Sequence, residues 1–310
     1  MLASGPGQMP PRISPDFREK FLIIGQANLL DHAHAGVRKR REMMQQARDF
    51  LDETIALSRL LEPLAEAEFE TATQFKGWTI NNVLRHLHVW NIAADLSLRN
   101  EAGFAAFVQE MMAGIRSGRL PDFESAYLAG LSGQSLRTTW LERAEATADA
   151  FASADPKARV KWVGPDMSAL SSITARLMES WAHAQAVYDV LGVARQDSDR
   201  IGNIVRLGVN TWGWTWKNRR VDPPGEMPHV RLIAPSGTVW EYGDASGSDR
   251  IAGSATEFCQ VVTQCRNVAD TSLEVSGEVA HHWMSVAQCF AGPPQDPPLP
   301  GTRHRAIGEG

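Results

Sequence analysis

Gly77-Trp78-Thr79-Ile80-Asn81-Asn82-Val83-Leu84-Arg85-His86-Leu87 and Ala175-Arg176-Leu177-Met178-Glu179-Ser180-Trp181-Ala182-His183 are the stretches whose reading decides the fold. Thr79 follows a Gly-Trp pair and can cap a helix running to about residue 99. Glu179 and His183 are four residues apart, so on a helix their side chains lie about 40° apart on one face. A histidine from a second helix, His86, completes a three-ligand set that leaves a coordination position open, as catalytic rather than structural metal sites do. His88 lies about 200° around the same helix from His86 and points away from such an ion.

Outward from these stretches, the pattern is helical. Met43, Ala47, Phe50, Leu51, Thr54, Leu57 and Leu61 recur at helical spacing over about 38–66. Shorter periodicity covers about 101–116, and Trp140, Leu141, Ala144, Thr147, Ala148 and Phe151 mark a helix over 135–153, stopped by Asp155-Pro156. Ser168 caps a helix over 169–191, which Gly192 terminates. Four long helices suffice for a bundle with ligands in its core. After residue 198 one further helix runs to about 217. Strands follow around Val230, Leu232, Val239, Trp240 and Tyr242, then a helix near 253–266, a strand at 271–276 and a helix at 278–290. The fold expected is mostly α: a helical bundle over 38–197, then a smaller α+β domain over 198–292. The leader over 1–37 is expected to be partly flexible and the Pro- and Gly-rich tail over 293–310 disordered.

Composition narrows the function. The 310 residues are 43% hydrophobic and 22% charged with a net charge of −5, which gives no footprint for nucleic acid. No apolar run reaches membrane-spanning length, and the N-terminus lacks a secretory pattern, so a cytoplasmic protein is expected. Cys259, Cys265 and Cys289 are odd in number and lack C-x-x-C spacing, which argues against disulfides and a thiolate zinc site. The His32-x-His34 pair reads as a surface turn.

The two stretches resemble the DinB-like superfamily and, within it, the mycothiol-dependent maleylpyruvate isomerase family, in a subgroup known generally as metal-binding. The Gly-Trp-Thr opening with His86 looks like that family's first ligand helix, and the Glu179/His183 pair like its second. Gly164-Pro165-x-Met167-Ser168, Ala234-Pro235-Ser236-Gly237, Phe258-Cys259-Gln260-Val261-Val262-Thr263 and Ala287-Gln288-Cys289-Phe290-Ala291-Gly292-Pro293-Pro294 extend the likeness, so that it covers about 45–294. The resemblance implies a DinB-like four-helix bundle holding a divalent cation, zinc by default, on His86, Glu179 and His183. It also implies mycothiol or another low-molecular-weight thiol as co-substrate. The chain departs from the family pattern at Asn91, where relatives often carry Asp, at Asn203, where they carry His, and at Asn210 and Trp212, where they carry Arg.

A metal-stabilised thiolate adding to an electron-poor carbon supports cis–trans isomerisation or S-transfer on a small electrophile. Two alternatives are a DinB-like metal-dependent hydrolase and a non-catalytic metal- or small-molecule-binding protein, which the three Asn substitutions keep open. Trp212 and Arg206 are the candidate residues for contacting the thiol or its substrate, against interdomain packing for the tryptophan and a solvated face for the arginine. Asn82, Trp90 and Asn91 are the candidates for orienting the ligands. Expected partners are a small-molecule substrate and a thiol, with a homodimer compatible with the chain, and neither nucleic acid nor membrane.

Overall fold

The computed structural model describes residues 44–306. The leader over 1–37, its His32/His34 pair and the last four residues of the tail lie outside the described residues.

Four long helices form the bundle: α1 (Gln45–Leu61), α2 (Ile80–Arg99), α5 (Gly133–Ala152) and α6 (Ala169–Val190). Each packs on two neighbours in the ring order α1, α5, α2, α6. One end of the bundle core is built from Leu57, Leu61, Leu84, Leu87, Trp140 and Val187. The other is built from Phe50, Ala94, Ala148, Phe151, Ile173 and Leu177. The small residues Ala94, Ala144 and Ala148 are fully buried beside the large Phe50 and Phe151, leaving room for their rings. Between α2 and α5 the chain makes an excursion through α3 (Glu101–Ser117) and α4 (Leu120–Tyr127), both packed on α2. Sequence periodicity anticipates α3 but not α4, a two-turn helix opened by Pro121 and by Asp122, whose carboxylate accepts from the Arg119 amide. Strands β1 (Arg159–Val160) and β2 (Met167–Ser168) pair ahead of α6.

Helix α6 has two apolar faces. Ile173 and Leu177 face the bundle, whereas Met178 and Trp181 enter the core of the C-terminal unit. That unit begins with α7 (Gly202–Asn210) and α8 (Trp212–Arg219). The single helix expected here is broken at Thr211, whose hydroxyl donates to the Leu207 and Gly208 carbonyls. A four-stranded sheet follows in the order β4 (Val239–Tyr242), β3 (His229–Ile233), β5 (Arg250–Ser254), β6 (Glu274–Ser276). The β3–β5 pair is parallel and the other two are antiparallel. Val230, Leu232 and Ile251 bury one face against Phe258, Val262 and Trp283, carried by α9 (Ala255–Val262) and α10 (Glu278–Val286). The strand β5 was not anticipated, since Arg250-Ile251-Ala252-Gly253-Ser254 carries a single large apolar residue. The helix expected over 253–266 ends at Val262, where Gln264 turns left-handed at φ 57°. The strand expected from 271 begins at Glu274, and the helix expected to reach 290 stops at Val286.

The segment 293–306, expected to be disordered, is instead laid across both units. Asn267 donates to the Pro298 carbonyl, Arg303 to the Gln264 carbonyl, the His304 amide to Gln74 and the Ala306 amide to the Asp189 carbonyl. Proline richness removes backbone donors, but these side-chain and terminal amide bonds anchor an extended strap without secondary structure. Gly192 ends α6 at φ +69°, and a side chain there would press on the Ala306 carbonyl. Among the described residues no helix is long and apolar enough to cross a membrane.

Candidate metal centre

Helix α2 starts at a reciprocal cap. The Asn82 amide donates to the Thr79 hydroxyl, and the Thr79 amide donates to the Asn82 side chain. Asn82, a candidate ligand orienter, is therefore engaged in starting the helix. One turn on, α2 presents His86 and then Trp90 to the same side. Helix α6 presents Glu179 and His183 opposite them. His183 Nε2 lies 3.2 Å and His86 Nε2 3.6 Å from the same carboxylate oxygen of Glu179. One ligating atom from each of the three residues can be chosen so that all lie within 4.8 Å of one another. His88 is buried on the far side of α2, as the helical angle requires.

The orientation of His86 is set by a residue that sequence reading did not single out. Glu124, fully buried on α4, lies 2.7 Å from His86 Nδ1, and its same oxygen accepts from the Trp90 indole at 3.1 Å. With Nδ1 engaged by Glu124, Nε2 is the nitrogen that faces Glu179 and is free to ligate a cation in place of its proton, the carboxylate–imidazole arrangement that metal ligands use. Trp90 thus bears on His86 both through Glu124 and by ring contact. Asn91 touches neither histidine: its side-chain oxygen accepts from Arg176 Nε at 3.0 Å. Arg176 Nη2 and Asn91 Nδ2 find no hydrogen-bond partner among the described residues.

Three aromatic rings enclose the triad. Trp78 stacks on His183 with centroids 5.7 Å apart, Phe75 meets His183 edge-on at 4.9 Å, and Trp90 lies 5.9 Å from His86. Phe75 is positioned by a tight loop in which Lys76 adopts φ 54° and Gly77 φ 67°. The left-handed lysine is a strained conformation of the kind found near functional sites. Electrostatics follow the geometry. Burial alone lowers the His86 pKa, but the Glu124 charge and hydrogen bond, joined by Glu179, raise it to about 9. Burial pushes the Glu179 carboxyl up, yet its bonds to His183 and His86 hold it well below the usual carboxylate range. His183 is lowered, first by burial and then, against the pull of Glu179, by the neighbouring His86 charge.

The triad forms part of the wall of a cavity of about 700 Å³ between the bundle and the C-terminal unit. Trp214 reaches this cavity, its indole N–H donating to the Phe290 carbonyl. Trp212 does not: it packs edge-on against Trp216 at 5.2 Å and Trp283 at 5.0 Å. Arg206 is exposed on α7 and is not among the lining residues. Of the other departures from the family pattern, Asn210 is exposed, and Asn203 donates to Asp49 and accepts from Gln46 on α1, away from the cavity. Asn91 alone of the three bears on the site, through Arg176.

Residues 50–188 match the family model described as the mycothiol maleylpyruvate isomerase N-terminal domain. Two relatives in Mycobacterium tuberculosis, the uncharacterized protein Rv0036c of strain H37Rv and its counterpart in strain CDC 1551, are each 36% identical over 247 residues, covering 79% of this chain and 95% of theirs. A crystal structure of the mycothiol-dependent maleylpyruvate isomerase is similar at 19% identity and a TM-score of 0.48, over 76% of this chain and 92% of that one. Through its helical bundle, the chain belongs to the mycothiol maleylpyruvate isomerase N-terminal domain family.

Proposed function

We propose that the protein is a metal-dependent isomerase or S-transferase that uses a low-molecular-weight thiol, mycothiol in organisms that make it, on a small electrophile. The observation that carries this reading is the convergence of His86, Glu179 and His183 on one point of the cavity wall. Two imidazole nitrogens aimed at one carboxylate oxygen are stable only around a proton or a cation, and the set of two neutral imidazoles and one carboxylate suits a borderline divalent ion such as zinc. When bound, such an ion supplies Lewis acidity that favours the thiolate form of a thiol beside it.

The chain's own residues do the rest. Glu124 fixes the His86 tautomer, while Trp78, Phe75 and Trp90 limit water around the triad. The thiolate adds to the electrophilic carbon, the π pair moves to the neighbouring conjugated position, and rotation about the new single bond becomes free. Expulsion of the thiolate restores the double bond with inverted geometry and leaves the thiol unconsumed; protonation of the adduct instead gives S-transfer. A protein cysteine is a poor substitute. Cys265 and Cys289 line the cavity, but burial pushes both thiols up, so they stay protonated at neutral pH.

The test is metal analysis of the purified chain, then thermal-shift titration with mycothiol. The reading expects close to one divalent ion per chain and thiol stabilisation that disappears in His183→Ala. Stabilisation that survives this substitution overturns the thiol–metal reading, and turnover without thiol would replace it with hydrolysis.

A further inference from the structure

The cavity is chemically two-ended, with the triad between its ends. On one side of His183 stand Phe75 and then Lys76 and Arg303, whose charges lie 5.2 and 5.0 Å from the Phe75 centroid. Lys76 donates to Gln295 and Arg303 to the Gln264 carbonyl, so this end is polar and cationic. On the other side, His86 leads to Trp90, Trp90 to Trp162 at 5.6 Å, and Trp162 stacks on Phe104 at 5.9 Å. Met111, Ile115 and Leu120 complete that wall together with Val163. The Trp90 indole N–H is already spent on Glu124, so the ring offers the cavity only its apolar surface.

Two features separate this end from ordinary core. Ile115 and Val163 remain 38% and 42% exposed although they line the cavity, where a ligand's apolar group would cover them. Among the described residues lining this end, beyond Arg176 at the triad itself, none is a cation, so a carboxylate placed here would be desolvated without a partner. The geometry points to a hydrophobic subsite: the Trp90–Trp162–Ile115 end receives an aryl or branched-alkyl group of the electrophile, whose reactive carbon lies at the triad. The assignment deepens the thiol-dependent reading and rests on it for the nature of the substrate. It predicts that a carboxylate gains nothing from this end and is received, if at all, by Lys76, Arg303 or Arg176.

The test uses the full chain as purified, with metal content measured on the same sample. Binding of 4-phenylbut-3-en-2-one, an apolar unsaturated ketone, is compared with that of maleate by ligand-observed NMR and calorimetry. Ile115→Glu and Val163→Glu, both at partly exposed positions that tolerate a charge, are each expected to weaken ketone binding tenfold or more and to leave maleate binding within about twofold. Unchanged ketone affinity in both variants, an equal loss of maleate binding in them, or an equal loss of ketone binding in Lys76→Ala at the opposite end would overturn the assignment. Ketone binding with these properties in a protein that holds no metal would support the subsite while removing the metal-based reading, so the two fail separately.

Discussion

At the scale of single residues, Glu124 links the fold to the site most directly. Its one oxygen satisfies both His86 Nδ1 and the Trp90 indole in a fully buried position. Glu124→Ala strands two buried donors and is expected to cost about 2–6 kcal/mol in urea unfolding, since each orphaned group costs roughly 1–3 kcal/mol. Glu124→Gln keeps an acceptor oxygen and should retain more of that stability while lowering metal affinity about 10–100-fold in chelator competition, the usual penalty for losing a ligand's orienting partner. His88 sets a pH dependence of its own. Burial, helped by the Arg143 charge, lowers its pKa from 6.5 to about 4, so the unfolded chain takes up this proton before the folded one does. The contribution of neutral His88 is therefore full above pH 6.5 and is lost as pH falls toward 4, by up to about 3 kcal/mol. Unfolding free energies measured across that window should fall less steeply in His88→Leu, and parallel slopes would contradict the shift. The triad was legible because Glu179 and His183 share a helical face and family-like residues surround His86. Glu124 was not, because nothing in Pro121-Asp122-Phe123-Glu124 shows that its carboxylate meets a histidine 38 positions earlier.

At the scale of elements, long periodic helices were readable and short or irregular pieces were not. Helices α2, α5 and α6 begin within about two residues of expectation because Thr79 and Ser168 are strong caps and apolar spacing is sustained over 20, 20 and 22 residues. The α4 helix of 8 residues and β5 of 5 residues draw their stability from packing and strand pairing, which local pattern does not reveal. The strap over 293–306 is the clearest case, because its order comes from contacts with residues distant in sequence, including Gln74, Asp189 and Gln264. Ending the chain after Gly292 removes these bonds together with Arg303 from the cavity wall. At about 0.5–1.5 kcal/mol per bond, less the entropy regained by the strap, the loss should be roughly 2 kcal/mol. Hydrogen exchange should rise in the 74–78 loop, to which the strap binds through Gln74, and unchanged protection there would show that the strap contributes nothing to the cavity wall.

At the scale of the whole molecule, the site depends on two units being held at a fixed distance, and a buried ion network does this beside α6. Glu53 on α1 accepts from Arg195 through one oxygen and from Arg200 Nε at 2.7 Å through the other. Arg195 also reaches Asp197 at 3.2 Å and lies 4.5 Å over the Trp181 ring, while Trp181 donates to Asp197 at 2.8 Å. The network thus ties the first bundle helix to the linker that enters the C-terminal unit, across the helix carrying Glu179 and His183. Removing one member leaves buried charge uncompensated, which costs about 3–5 kcal/mol; a glutamine at 53 leaves the same arginine charges unmatched and keeps only one of the two acceptor oxygens. Glu53→Ala should therefore destabilise the chain by about that amount, and Glu53→Gln by nearly as much. Because α6 belongs to both cores, bundle and C-terminal unit are expected to unfold in one transition in the wild type. Weakening the network should separate them before it unfolds the bundle, so that the cavity opens while helical circular dichroism is retained. Calorimetry of Glu53→Ala should then show a broadened or divided transition, and a single sharp transition shifted as a whole would mean that the apolar core around Trp181, rather than the ion network, holds the two halves of the site together.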